Sequence, residues 1–180
     1  MKARQLTLIA FMAASMVCVF QLFSNILYLE MITFTIVLYA MTASKKEAVL
    51  ACVIFACLNM LFLGITPWTC MYLIIYPVYA LITALMRNFL NKHLLCLCLL
   101  CGFLSFLCGQ LLDLPFLLFS KHITLLYWIS GLKTSLIQGI LSFLCCLFLY
   151  EPLSKRIMTF YNKNERSSTK ANDKQNELIK

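Results

Sequence analysis

Six apolar runs, about 6–23, 31–44, 48–65, 68–86, 94–112 and 123–150, alternate along the chain with short polar or charged breaks. Most approach the roughly 20 apolar residues that an α-helix needs to cross hydrocarbon, and only 31–44 is clearly short. The pattern predicts an all-α integral membrane protein, a six-transmembrane-helix bundle. Beyond 154 the periodicity stops. The segment 155–180 is Lys-, Asn- and Ser-rich, which predicts a basic, solvated and disordered tail after a membrane domain spanning 1–154.

The sharpest local signal lies between the third and fourth runs, at Gly64-Ile-Thr-Pro-Trp-Thr69. Pro suits the first helical turn because its missing N–H would be unpaired there, and Thr66 before it is a good N-cap. The turn carries no charge, so it predicts a tight helical hairpin at a membrane surface. Pro77 falls inside the fourth run and predicts a kink there.

Loop charges predict the orientation. With six spans, Lys2 and Arg4, then Lys45 and Lys46, then Arg87 and Lys92, then the basic tail share one side. The other side holds the 24–30 break, the uncharged Gly64–Pro67 turn and Lys121. The positive-inside rule then places both termini in the cytoplasm. The run 6–23 is long for a signal-peptide core and no small-x-small site follows it closely, so it is expected to remain as the first helix.

Composition sharpens this picture. An apolar content of 62% exceeds the roughly 45–50% of soluble domains, which places the chain in a bilayer. The net charge of +8 comes from basic residues between apolar runs and in the tail rather than along one exposed face, so no nucleic-acid partner is expected. All ten cysteines sit within apolar stretches with no His or acid nearby, which reads as helix packing rather than metal or redox chemistry.

Small residues recur at helical spacing. Ala10, Ala14 and Cys18 form one stripe, Ala48, Cys52 and Ala56 another, and Cys98, Gly102, Ser105 and Gly109 a third; Gly131, Ser135 and Gly139 form a fourth. In lipid such stripes let helices approach closely. For Ala10, Ala14 and Cys18 the contact is either a neighbouring helix of this chain or a second protein.

Polar residues at membrane depth carry the functional reading. Asn59 lies about 18 Å from Glu47 and Asp113 about 30 Å from Lys92, both toward the outer side. Lys133 lies about 16 Å from Lys121 if the helix starts there, which predicts a mid-membrane ammonium facing the bundle interior, paired with a solute, Asp113 or Glu30. Tyr127, Ser130, Thr134 and Gln138 form a polar seam beside it. Trp68, Tyr72, Tyr76 and Tyr79 share one face of the fourth helix. Together they predict a substrate pocket in the outer half of the bundle. There is no HExxH, GxSxG, Walker lysine or Rossmann glycine triplet, so the chain does not read as an enzyme and no cofactor is expected on it.

The chain resembles the S component, the substrate-capturing membrane subunit, of energy-coupling factor (ECF) vitamin transporters. The resemblance rests on six spans in a chain of this length, on Ala10-x-x-x-Ala14, and on Gly64-Ile-Thr-Pro-Trp-Thr69. The last is similar to the Gly-x-x-Pro-Trp-Thr turn of the cobalamin-related group, as are Ser130-Gly-Leu132 and Glu151-Pro-Leu-Ser-Lys-Arg156 to later segments of that group. The resemblance implies a vitamin bound in the outer half and a transmembrane coupling subunit docked on the Ala10–Ala14 stripe. It also implies two cytoplasmic ATPase subunits that alone use ATP, and a bacterial plasma membrane as the location. The rival reading is a membrane scaffold of the cell-shape type with no solute site; an intramembrane enzyme is disfavoured.

Overall fold

The computed structural model describes residues 3–24, 26, 29–118 and 121–178, with side chains as far as Thr159 except at 118 and 123. Lys2, residues 25, 27 and 28 of the first break, and the last two residues of the tail lie outside the described residues. The described chain is all-helical: α1 (Ala3–Phe23), α2 (Met31–Thr42), α3 (Lys45–Leu63), α4 (Pro67–Leu85), a short α5 (Arg87–Leu90), α6 (Leu94–Leu111), a 3-10 turn (Leu114–Leu118) and α7 (Lys121–Leu178). Among the described residues, five helices are long and apolar enough to cross a membrane, and α2 is a shorter apolar helix.

The short helix is the core. All ten residues from Ile32 to Met41 on α2 are buried, so it has no polar face to offer water or lipid. Helices α1, α3, α4, α6 and α7 all pack against it. Its 12 residues reach only about 18 Å, and its C-terminal carbonyls would be left without partners inside the bundle. Arg87 supplies the donors: its Nε lies 3.1 Å from the Ala40 carbonyl, and its Nη2 donates to the carbonyls of Ala40 and Ala43. A cation at that end also opposes the helix dipole.

Helices α3 and α4 form the expected hairpin. Gly64 takes a φ of +81°, which admits glycine readily and other residues only under strain. Thr66 caps α4: its side chain accepts from the Thr69 N–H at 3.2 Å, the Thr69 hydroxyl accepts from the Thr66 N–H at 2.8 Å, and Pro67 opens the helix. Thr69 Oγ1 also donates to the Gly64 carbonyl at 2.9 Å, tying the turn shut. At the opposite end, Lys45-Lys46-Glu47, expected as a turn, is the first turn of α3. Ser44 and Glu47 form a reciprocal capping box there, which starts the helix earlier than apolarity alone predicts.

Two predicted small-residue stripes meet face to face. A Cβ on Gly102 would sit 2.8 Å from the Gly139 carbonyl oxygen, and one on Gly139 would sit 3.0 Å from that of Gly102. Gly109 meets Ser135 in the same way. These contacts fix the register of α6 against α7. Helix α7 starts slightly earlier than expected and continues through Pro152 to Leu178, where irregular chain was expected beyond 154. Lys, Glu and Gln are good helix formers, so a polar sequence does not by itself stop the helix from continuing. The ten cysteines are free thiols, five of them buried between helices.

Candidate functional site

The end of α1, the start of α2, the first turns of α4, the end of α6 and the first turns of α7 come together at one end of the bundle. They enclose a cavity of ≈ 690 Å³, within the range of about 300–1,000 Å³ typical of small-molecule sites. Eight of the ten pocket residues expected from sequence line it: Trp68, Tyr72, Tyr76, Asp113, Tyr127, Ser130, Thr134 and Gln138.

One wall is aromatic. Tyr72 and Tyr76, one helical turn apart on α4, stack with centroids 4.9 Å apart at 11°. Phe20 from α1 meets Tyr72 edge-on at 6.1 Å. Near the mouth, Trp68 packs on Phe116 at 5.2 Å, and Phe116 packs on Tyr127 at 5.5 Å, so the 3-10 turn joins α4 to α7 through rings. Asp113 lines the cavity together with Trp68. The facing wall is polar, from Ser130, Thr134, Ser135 and Gln138 on α7. Gln110 Nε2 donates to Ser135 Oγ at 2.9 Å, and the Trp128 indole N–H donates to the Gln110 carbonyl at 3.1 Å. These bonds brace the polar wall from behind.

The floor holds the residue that sequence reasoning left out of the site. Glu30 precedes α2, and its two carboxylate oxygens each accept a hydroxyl: Oε1 from Thr33 at 2.9 Å and Oε2 from Ser105 at 3.0 Å. Ser142 Oγ donates in turn to Ser105 Oγ at 2.9 Å and lies 3.2 Å from the Glu30 carbonyl oxygen. The signal for Glu30 was present in the chain: a lone acid at the head of a span too short to cross unaided, followed only by apolar and Thr residues. Apart from Thr33, its partners Ser105 and Ser142 lie 75 and 112 positions away, beyond the reach of local pattern.

Two expected members stand elsewhere. Asn59 is fully buried, and neither its Oδ1 nor its Nδ2 has a hydrogen-bond partner among the described residues, but it does not line the cavity. Lys133 is exposed and points away from the cavity. Gly131 lies beside the Asp113 carboxylate, with a Cβ there 3.5 Å from Oδ2, and Lys133 follows only about 3 Å further along α7. Lys133 is therefore level with the last turn of α6. The first turns of α7 extend beyond α6, and counting from the start of α7 placed Lys133 too deep. Tyr79, the fourth ring of the α4 stripe, is buried and does not line the cavity, and its hydroxyl has no hydrogen-bond partner among the described residues.

On α1, Ala10, Ala14 and Cys18 are exposed, while Ile9, Met12, Ala13 and Met16 face the core. The stripe therefore contacts no neighbouring helix tightly enough to be covered. The two histidines lie at opposite ends of the bundle and neither lines the cavity, so no nucleophile–histidine pair is assembled there. The arrangement can enclose and orient a small molecule. No known family model, curated protein or solved structure matches the chain.

Proposed function

We propose that this chain is the substrate-binding S component of an ECF-type transporter. It captures a vitamin or related micronutrient outside a bacterial plasma membrane and docks with a transmembrane coupling subunit driven by two cytoplasmic ATPase subunits. The observation that carries the reading is the cavity: an aromatic and polar chamber of ≈ 690 Å³ at the bundle end opposite Ala3 and the basic loops. A scaffold has no use for such a chamber and gains stability by filling it.

The remaining features support the same assignment. Six passes, counting the short α2, put both termini on the basic side, so the cavity end faces outward. The uncovered Ala10–Ala14–Cys18 stripe offers a close-packing surface to another helix, on the opposite side of α1 from the core.

The test is native mass spectrometry of the purified chain, together with co-purification from cells that also express the coupling and ATPase subunits. A bound metabolite of small mass and a stoichiometric complex are expected. An empty chain that never joins a coupling complex overturns the proposal, as does a reporter fused after Lys180 that is active only outside the cell.

A further inference from the structure

We infer that the cavity selects a cationic solute, a flat organic ammonium or amidinium whose charged nitrogen meets Glu30 and whose ring lies against the aromatic wall. The inference rests on the solute-binding reading above and assigns the chemical class of the ligand.

The argument begins with hydrogen-bond direction. Both Glu30 carboxylate oxygens accept hydroxyl hydrogens, from Thr33 and Ser105, and Ser142 relays a further hydroxyl onto Ser105. An ionised carboxylate is acceptor-only, so this donor set suits the anion. Hydroxyls solvate a negative charge but do not neutralise it. Removing such a charge from water is costly unless a cation accompanies it.

Among the described residues no cation does so: no Lys, Arg or His lines the cavity, and the ion pair Lys155–Glu151 stands on the far stretch of α7. Arg87 serves the opposite end of α2, and Lys133 is turned outward. A second carboxylate, Asp113, stands at the mouth, so a solute passes from one acid to the other on its way in. A cavity with two acids and no base draws cations and repels anions.

The aromatic wall supplies the second half of the recognition. Trp68, Tyr72, Tyr76 and Tyr127 line the cavity with their rings, and among the described residues no cationic side chain lines it to occupy them. A planar cation gains both from such faces and from the carboxylate below them. A neutral ring of the same shape gains only the former.

The test uses three planar probes of one shape and three charges: benzamidinium, benzamide and benzoate. Equilibrium binding to the full-length purified chain is expected to favour benzamidinium at least tenfold over the other two. Glu30→Gln is expected to weaken benzamidinium at least tenfold and leave benzamide within twofold. Should that variant elute as an aggregate, Asp113→Asn at the mouth takes its place, with at least a threefold loss for the cation alone. Equal binding of the three probes, preference for benzoate, no binding of any probe, or insensitivity of benzamidinium to the substituted carboxylate overturns the inference. A neutral or anionic metabolite co-purifying with a normally assembled complex overturns the cation class alone. Selective benzamidinium binding by a chain that never joins a coupling complex overturns the transport reading alone.

Discussion

Ser105, midway along α6, donates a hydrogen bond of 3.0 Å to Glu30 at the head of α2, joining positions 75 residues apart. This bond holds the central helix at its correct height. Helix α2 is buried on every side, and its polar contacts, including the 2.6 Å bond of Tyr39 to Ser15 on α1, add to packing in fixing its position along its axis. Glu30 is anchored to α6 through Ser105 and to α7 through Ser142, and the other end is held by Arg87. One set of polar contacts thus positions the core helix and furnishes the floor of the cavity.

The first prediction separates those two roles. Ser105→Ala leaves a buried carboxylate oxygen without its donor and should cost about 1–3 kcal/mol of stability, read as a lower thermal midpoint in detergent. Glu30→Gln keeps the shape and removes the charge, so it should cost less than Ser105→Ala. A larger loss for Glu30→Gln than for Ser105→Ala would show that the carboxylate is compensated within the protein.

The opposite anchor behaves differently. Arg87 reaches the Ala40 and Ala43 carbonyls with a planar fork that a lysine cannot reproduce. Arg87→Ala should cost about 1.5–3 kcal/mol, the scale of hydrogen bonds from a charged donor, and Arg87→Lys should recover only part of it. Full recovery by lysine, measured in the same thermal assay, would mean that charge at the helix end matters and geometry does not.

A third prediction concerns the α6–α7 seam. The Cβ of any larger residue at Gly102 collides with backbone at Gly139, which has no rotamer by which to yield. Gly102→Val should therefore destabilise by about 1–3 kcal/mol or more through overpacking. Gly131→Ala, where the nearest neighbour lies at ordinary contact distance, should be tolerated within about 0.5 kcal/mol. Equal stability of the two variants would contradict the close crossing.

Much of the site was legible because one helix face is a local property. Trp68, Tyr72 and Tyr76, like Tyr127, Ser130, Thr134 and Gln138, follow helical spacing, and the structure brings both faces to one cavity. The Thr66–Pro67 helix start was legible for the same reason. Two things were not. Glu30 acquires its role from Ser105 and Ser142, which no local window joins to it. The height of Lys133 depends on where α7 stands against α6, which the Gly102–Gly139 crossing sets and the length of an apolar run does not. The extent of α7 was missed because polar helix formers resemble a solvated tail when no apolar stripe marks a face.

The exposed α1 stripe gives a fourth prediction. Ala14→Trp puts a bulky ring on the face by which another helix would approach, while Ala14 itself is exposed and not part of the core. Thermal stability and solute binding of the isolated chain should stay within error, and recovery with a coupling subunit should fall at least tenfold. Wild-type recovery would place the docking surface elsewhere on the bundle.

The last prediction concerns Lys133, where depth counted from sequence and position in the fold disagree. An ammonium at mid-membrane costs at least about 2.5 kcal/mol and demands a partner, whereas one level with the last turn of α6 reaches headgroups and water with its own stem. Gly131 stands beside Asp113, just past the end of α6, so Lys133 lies at that upper level. Lys133 is exposed and does not line the cavity with Trp68, Tyr72 and Glu30. Lys133→Met should therefore leave solute affinity within twofold and stability within about 0.5 kcal/mol. Lys133→Glu should also leave both nearly unchanged, because the reversed charge remains in water. A tenfold change in affinity in either variant would return Lys133 to the cavity. A loss in stability confined to Lys133→Glu would instead indicate that the side chain rests among anionic headgroups, where a carboxylate is repelled.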